Sequence, residues 1–472
     1  MRRVAVIGLL AVVAPNVLRA QVTTSAVAKS DTVPVRFDDL VRTALTENLR
    51  LQSIAAETRG IRSGALAVRS PYDPLIGVAA ATNEQRYGAL VSGVIPTGAT
   101  YSAIVSRTAL PTIGGSQSSF LASISQPILR GFGFTSLRNT IHATDEAIAS
   151  AEARLLQTRV EVTATIGLLY AALIESHQIE AVDTRSLTRA EELGAAYEEL
   201  RKLDKITEVD LITAELGVTS RRTELLSARR TRQAAQDDLV LAVYGAKAAA
   251  RFPADEVVLM PSDGVPADAG SSLEDAIAKA LAVRPDVEAA RRQVFQVRYL
   301  ESVARNALLP RLDFTAALSN NRVDDLSALA TPRSNFSTAP TQASFGLTLS
   351  RPLFNNASNA ERERAAASVD LARVALADVE NVVRIEVRAA YRDMSVGREQ
   401  VRLASSASDL ARRQYDGERA RLDLGLTDIF RVLQVNDQVA KVEVNEAIAR
   451  SSLATAQVRM RAAIGVGTAA TR

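Results

Sequence analysis

The chain has 472 residues, no cysteine, two histidines and a formal net charge of +3. The lack of cysteine excludes disulfides, thiolate metal sites and a cysteine nucleophile. Arg2, Arg3 and Arg19 account for the whole formal charge, so the rest of the chain is neutral and has no net field to attract nucleic acid.

The first 20 residues have the layout of a cleavable secretory signal peptide. Two arginines follow Met1, an apolar stretch runs from Val4 to Leu18, and Leu18-Arg19-Ala20 ends the segment. The alternative, an N-terminal membrane anchor, is less favoured because ~15 apolar residues are few for crossing a bilayer. No run of about 18 apolar residues follows, so we expect any membrane contact to come from strands.

Proline placement and an internal repeat organise the rest of the chain. No proline occurs between Ile128 and Phe252 or after Leu353, which leaves two long stretches free for helix. The segment Phe37–Leu45 recurs as Leu273–Leu281, which indicates two tandem repeats. We predict a first repeat at 21–245, a linker at 246–272 and a second repeat at 273–472. The first repeat is expected to contain a helix, strands at about 75–125, a long helix at about 137–201 and a helix at about 206–244. The second is expected to contain a helix, strands at about 311–351, a long helix at about 357–422 and a helix at about 427–464.

Apolar residues on the two predicted long helices follow a narrow stripe. They are spaced four, three and four residues apart in both repeats: Val162, Ile166, Leu169 and Leu173, and then Val383, Val387, Ala390 and Met394. Such a stripe is typical of a coiled-coil seam rather than the broad face of a globular helix, although an ordinary core helix remains an alternative.

The predicted strands alternate between apolar and small polar residues. Phe120, Ala122 and Ile124 oppose serines, and the second repeat has the same pattern around Phe345. A barrel strand between lipid and a water-filled lumen requires this alternation, but a half-buried strand of a soluble sheet shows it too. Four principal strands per chain are too few to close a barrel, so several copies must contribute. A further stretch, Gly88–Ser106, suggests a hairpin with its turn at Pro96-Thr97-Gly98. The sequence does not indicate where this hairpin lies relative to the other strands.

Three segments resemble the TolC-type outer membrane efflux proteins, also called outer membrane factors. Ser125–Gly131 and Leu349–Phe354 look like the strand-to-helix junctions of that family, with Pro127 and Pro352 at their centres. Gly425-Leu426-Thr427 is similar to the turn at its periplasmic tip.

The resemblance implies a mixed α/β membrane protein. Its expected form is a homotrimer with a 12-stranded outer-membrane β-barrel, four strands per chain, continuous with a long α-helical coiled-coil barrel in the periplasm. Such channels contact outer membrane lipid, a periplasmic adaptor (membrane fusion) protein and an inner-membrane transporter. They act as passive exit ducts for efflux or type I secretion and use no cofactor.

The expected periplasmic entrance departs from the family pattern. Members carry acidic residues six and nine positions after the turn glycine, where this chain has Arg431 and Gln434. In the first repeat the matching acid is Asp210, with Asp204 or Lys205 in place of the glycine, and Asp428 lies one turn before Arg431. We therefore predict a gate formed by Asp210, Asp428, Arg431 and Gln434, with an ion-pair latch from Arg431 to Asp210 or Asp428.

An enzyme and a secreted coiled-coil protein are the two alternatives to a channel. Adjacent acids such as Glu191 and Glu192 point apart on a helix, so the sequence predicts no catalytic residue, no metal site and no enzyme. A secreted periplasmic adaptor or coiled-coil scaffold without a barrel would also have helical seams. Matched strand pairs in both repeats favour the channel, while the exported substrate cannot be read from the sequence.

Overall fold

The computed structural model of the chain describes residues 31–81, 86–110, 115–132, 135–247, 257–264, 272–325 and 340–466. The predicted signal peptide at 1–20 lies outside these described residues. Within them the chain is built from long helices, one large sheet and one small sheet.

Helices make up most of both halves of the chain. Those of the first half are α1 (Phe37–Glu47), α2 (Leu49–Arg69), α3 (Thr135–Lys202) and α4 (Glu208–Tyr244). Those of the second half are α5 (Leu273–Val283), α6 (Pro285–Asn306), α7 (Asn356–Asp423) and α8 (Ile429–Ile464). The 68 residues of α3 and of α7 each reach about 100 Å at ~1.5 Å per residue.

In the described part of the chain, no helix combines the length and the apolar character needed to cross a membrane.

Each pair of short helices contains a break where the sequence predicted one continuous helix. Between α1 and α2, Asn48 has an extended backbone, and its side chain caps α2 by accepting two backbone N–H groups. Between α5 and α6, Arg284 is extended because it precedes Pro285, which disfavours the helical conformation of the residue before it.

The two break residues make the same contact with different side chains. Asn48 donates its amide to the carbonyl oxygen of Ala242 near the end of α4, at 3.0 Å. Arg284 donates to the carbonyl oxygen of Ala463 near the end of α8, at 3.2 Å. Both satisfy a helix-end carbonyl that has no partner inside its own helix.

A small parallel sheet that the sequence did not predict joins the start of the first half to the linker. Strand β1 (Asp31–Val35) pairs with β6 (Val257–Pro261), so the predicted linker at 246–272 contains a strand. The hydroxyl of Tyr170 on α3 and the backbone N–H of Phe37 on α1 donate to one carboxylate oxygen of Asp263, at 2.6 and 3.0 Å. These bonds fix the small sheet against α1 and α3.

The large sheet has six strands among the described residues, two more than the predicted four. They are β2 (Leu75–Ala81), β3 (Arg86–Val94), β4 (Thr100–Leu110), β5 (Gly115–Pro127), β7 (Arg311–Asp325) and β8 (Gln342–Ser350). The order is β2-β3-β4-β5-β7-β8, with every neighbouring pair antiparallel. The additional strands β3 and β4 form the hairpin whose place the sequence left open.

Apolar clusters in each half hold the helices together, and they contain the predicted seams. Seven of the eight seam residues are buried, and Leu169 is half-buried against the first cluster. The buried seven are Val162, Ile166, Leu173, Val383, Val387, Ala390 and Met394. The predicted burial of the stripe is therefore confirmed, with Leu169 at its margin.

A buried carboxylate ties three long helices together. The side chain of Glu443 on α8 is 3% exposed and accepts a hydrogen bond from Arg412 of α7 at 2.6 Å. Arg185 and Arg189 of α3 lie 3.4 and 3.7 Å from the same carboxylate. A buried charge is costly unless it is paired, so this cluster fixes how α3, α7 and α8 are aligned.

The seam predicts a strong effect from one buried charge. Val387→Asp places an unpaired carboxylate at a fully buried position of α7 and is expected to destabilise the protein by on the order of 4 kcal/mol. The control Arg388→Asp introduces the same residue at the exposed neighbouring position and should cost far less. Thermal unfolding followed by far-UV circular dichroism at one protein concentration compares them, and equal melting temperatures would contradict the seam.

Candidate functional site

The register of the large sheet sorts its side chains onto two faces. Paired residues of neighbouring strands point to the same side. One row across all six strands is entirely apolar and lies on what we call the apolar face: Ile76, Val91, Ala103, Ala122, Leu318 and Ala343. An adjacent row lies on the opposite side, the hydroxyl face: Leu75, Ser92, Ser102, Ser123, Ala317 and Ser344.

The chemistry of the two faces continues into neighbouring rows, until Arg107 and Arg322 end the apolar face toward the outer end of the sheet. On the apolar face Val78 is 84% exposed and Phe345 is 75% exposed, which is unusual for large apolar side chains in water. On the hydroxyl face Ser102 and Ser123 hydrogen-bond across strands at 2.8 Å, as do Ser106 and Ser119 at 2.7 Å. One side of the sheet therefore suits hydrocarbon and the other suits water.

The strand-to-helix junctions lie where the sequence placed Pro127 and Pro352. Pro127 ends β5 shortly before α3, and Pro352 lies between β8 and α7. The turn between β3 and β4 packs on the first junction: Thr97 donates its hydroxyl to Gln126 at 2.9 Å, and Gln126 donates its amide back to the Thr97 carbonyl at 3.1 Å. At Gly98, with a φ of +85°, a Cβ would lie 2.5 Å from a backbone oxygen of the junction, so only glycine fits.

At the far end of the long helices, two turns have the same backbone geometry. Asp204 follows α3 with a φ of +52°, and Gly425 follows α7 with a φ of +70°. Each donates its N–H to the carbonyl three residues back, and the next residue donates to the carbonyl five residues back, at 2.8 to 3.0 Å. This is the Schellman motif that closes helix ends. Of the two residues proposed in place of the first turn glycine, the structure selects Asp204 rather than Lys205.

The helices that leave these turns are capped by acids at different positions. Thr207 caps α4 in a capping box, in which Asp210 accepts from the Thr207 hydroxyl at 2.7 Å and from its N–H at 3.0 Å. Asp428 itself caps α8 by accepting the backbone N–H of Arg431 at 2.8 Å. Arg431 thus occupies in α8 the position that Asp210 occupies in α4. Both helices keep acid at the positive end of the helix dipole: Glu208 and Asp210 in α4, and Asp428 in α8.

The two acids of the predicted gate lie around one tyrosine that the sequence did not reveal. Burial raises the pKa of the Tyr197 phenol, and the nearby carboxylates of Asp210 and Asp428 raise it further. The hydrogen bonds from Thr207 lower the pKa of Asp210, which stays ionised at neutral pH. Because nothing about a tyrosine five residues before the end of a helix is distinctive, only folding could bring Tyr197 to this place.

The other two predicted gate residues pair with each other. Arg431 donates a guanidinium N–H to the side-chain oxygen of Gln434 at 2.9 Å, and both residues are exposed. Within one chain, the carboxylates of Asp210 and Asp428 are instead engaged by their caps. In this structure Arg431 pairs with neither acid, and the latch stays a prediction.

Metal chemistry has no evident place in the described residues, where no group of three or more His, Asp or Glu side chains could hold an ion. The candidate site is therefore the large sheet, which has one apolar and one polar face, together with the long helices that follow it and the charged residues at their tips.

Comparison with known proteins supports this architecture. Residues 276–466 match the family model described as outer membrane efflux protein. No curated protein matches the chain. Among solved structures, the chain is similar to the outer-membrane channel OprN, with 19% identity over 91% of this chain and 90% of that one, at a TM-score of 0.69.

Two further channels have similar values. The CmeC outer membrane channel of Campylobacter jejuni gives 18% identity over 91% of this chain and 86% of that one, at a TM-score of 0.67. The open state of the MtrE outer membrane channel of Neisseria gonorrhoeae gives 16% identity over 91% and 89%, at 0.66. At such low identity the likeness shows the fold. Together with the family match, it confirms the resemblance drawn from the sequence.

The matched turns predict opposite effects of exchanging their residues. Asp204→Gly relieves the left-handed strain of a residue with a Cβ, whereas Gly425→Ala introduces it, each changing local stability by about 1 kcal/mol. We expect amide hydrogen exchange in the first turn to slow about fivefold for Asp204→Gly, and exchange in the second turn to speed up about fivefold for Gly425→Ala. Mass spectrometry of peptides covering both turns measures this, with the unaltered turn as internal control. Changes of the same sign in both variants would contradict the prediction.

Proposed function

We propose that this chain, whose residues 276–466 match the outer membrane efflux protein family, is the outer membrane channel subunit of an export system. Three copies of the two tandem repeats form a barrel in the outer membrane and a helical tunnel in the periplasm. The channel is a passive exit duct with no enzymatic step. It receives small molecules or proteins from an inner-membrane transporter through a periplasmic adaptor protein, in efflux or in type I secretion.

One observation carries the proposal: a sheet with an apolar row across all six strands continues directly into helices about 100 Å long. A single chain therefore holds a lipid-facing wall and a rigid extension away from it. A coiled-coil scaffold or adaptor without a barrel would have no use for such a sheet, because its apolar face would remain exposed to water.

The tips of the helix pairs support the position of the gate. Asp210 and Asp428 flank Tyr197 at the end of α3 and the starts of α4 and α8, farthest along the helices from the sheet. Symmetry about a threefold axis would bring three copies of this charged cluster together. Arg431 would then bond to Asp210 or Asp428 of a neighbouring copy and hold the entrance closed.

Lipid contact predicts that the two faces of β8 differ in their tolerance of charge. Leu347→Arg puts a guanidinium on the apolar face, where it costs about 2–4 kcal/mol near the middle of the bilayer. We expect this variant to be largely lost from the outer membrane fraction. Thr348→Arg is the matched control, since its side chain lies on the hydroxyl face of the same strand.

The fractionation also separates the channel from its main competitor. Recovery of the parent in the soluble periplasm would favour the scaffold and overturn the channel. Equal membrane insertion of the two arginine variants would show that the apolar face does not contact lipid.

The latch predicts a change in gating when Arg431 is replaced. In planar bilayers, Arg431→Ala should show a larger or more frequently open conductance, because the ion pair that holds the entrance closed is lost. Arg431→Asp should in addition shift the selectivity toward cations. High salt should reduce both differences, since screening weakens exposed pairs.

Arg402→Ala serves as control, because Arg402 is exposed on α7 and pairs only locally with Glu399 among the contacts described. It should conduct like the parent. If both Arg431 variants also conduct and select like the parent, Arg431 lies outside the pore and the latch is wrong.

A further inference from the structure

The position of the β3–β4 hairpin determines how many strands each chain adds to a barrel. The hairpin lies between β2 and β5, paired with β2 over seven residues and with β5 over eleven. Both edges of β5 are already occupied, by β4 and by β7. A four-strand contribution would require β2 to pair directly with β5, which would break both ladders.

The hairpin also has the side-chain pattern of the wall. Val91 and Ala103 lie in the apolar row, and Ser92 and Ser102 lie in the hydroxyl row. Its turn packs on the strand-to-helix junction, so β3 and β4 run the full distance from the junction to the outer end of the sheet. The hairpin is thus an integral part of the sheet rather than a flap laid over it.

The outer strands β2 and β8 have edges that are unpaired among the described residues. Soluble proteins protect such edges with charges or proline. The sequences LIGVAAA of β2 and QASFGLTLS of β8 contain neither. In hydrocarbon, an open edge would leave a row of backbone groups without hydrogen bonds, so both edges need a partner.

A second copy of the chain fits both edges at once. Since six is an even number, β8 of one copy and β2 of the next run antiparallel, like every other pair in the sheet. The two strands have similar lengths, seven and nine residues. Pairing them in this direction also continues the apolar face, from Leu347 on β8 to Val78 on β2.

We infer that each chain contributes six strands and that three chains close an eighteen-stranded barrel through pairing of β8 with the β2 of the next copy. The inference rests on the trimeric channel proposed above. With strands about 4.8 Å apart and tilted by about 40°, eighteen strands give a backbone diameter of about 36 Å, against about 24 Å for twelve. The cross-section of the barrel is then about twice that of the expected twelve-stranded one.

The diameter can be measured by pulsed electron paramagnetic resonance on the intact trimer. The chain has no cysteine, so Ala317→Cys places a single spin label on the hydroxyl face at the middle of the sheet. In a threefold assembly the labelled backbone sites lie about 31 Å apart for eighteen strands and about 21 Å apart for twelve. We expect the longer distance.

Deletion of residues 86–110 is the matched variant, because it removes both hairpin strands and leaves β2 to pair with β5. Its distance at position 317 should fall by about 10 Å. A label at Ser406→Cys, exposed on α7, should give the same distance with and without the hairpin.

Disulfide formation tests the pairing of edges independently of the diameter. Val78→Cys combined with Phe345→Cys, Leu347→Cys or Leu349→Cys should yield covalent trimers in at least one register. Val78→Cys with Thr348→Cys should not, because these side chains lie on opposite faces.

The outcomes distinguish this inference from the proposed function. A trimer in the outer membrane with the shorter distance in the full-length chain overturns the eighteen-stranded barrel and leaves the channel standing. Absence of a trimer by mass overturns the channel itself. A trimer with the longer distance but no disulfide in any of the three registers overturns the pairing of β8 with β2.

Discussion

The constraint on which the rest depends is the backbone hydrogen bonding of the large sheet. Its apolar face is suited to hydrocarbon, where an unpaired N–H or carbonyl costs several kcal/mol. The unprotected edges at β2 and β8 therefore cannot end the wall. In the proposed channel, pairing between copies meets this requirement, and the even number of strands per chain makes that contact antiparallel.

The helical part is governed by a different balance. A narrow apolar seam leaves most residues of α7 exposed, so packing at a few positions such as Val383 and Val387 must be supplemented by polar contacts. The cluster of Glu443 with Arg412 shows how: a buried charge that is stable only when paired allows only one alignment of its helices. Such contacts contribute more to alignment than to net stability, which suits a long tube.

Corresponding places in the two halves keep their geometry while their chemistry differs. Asn48 and Arg284 both satisfy a helix-end carbonyl at a break between short helices. Asp204 and Gly425 both adopt a left-handed conformation at a helix end. At the tips, however, the exchange of Asp210 for Arg431 alters the charge that an entrance would present. Backbone requirements are thus met by several residue types, whereas the charge at the tips depends on which type is present.

The sequence by itself determined the local features, because proline positions, helical spacing and alternation act over a few residues. The long helices and the seam were predicted in this way, whereas the junctions at Pro127 and Pro352 and the turn at Gly425 came from the resemblance to the family. Only the tertiary structure decided which strand pairs with which, so the sequence did not predict the place of the β3–β4 hairpin or the small sheet of β1 and β6. The approach of Tyr197 to Asp210 and Asp428 was likewise decided by the packing of the helices. These contacts join residues far apart in the chain, and strand pairing depends on backbone groups that are the same in every residue.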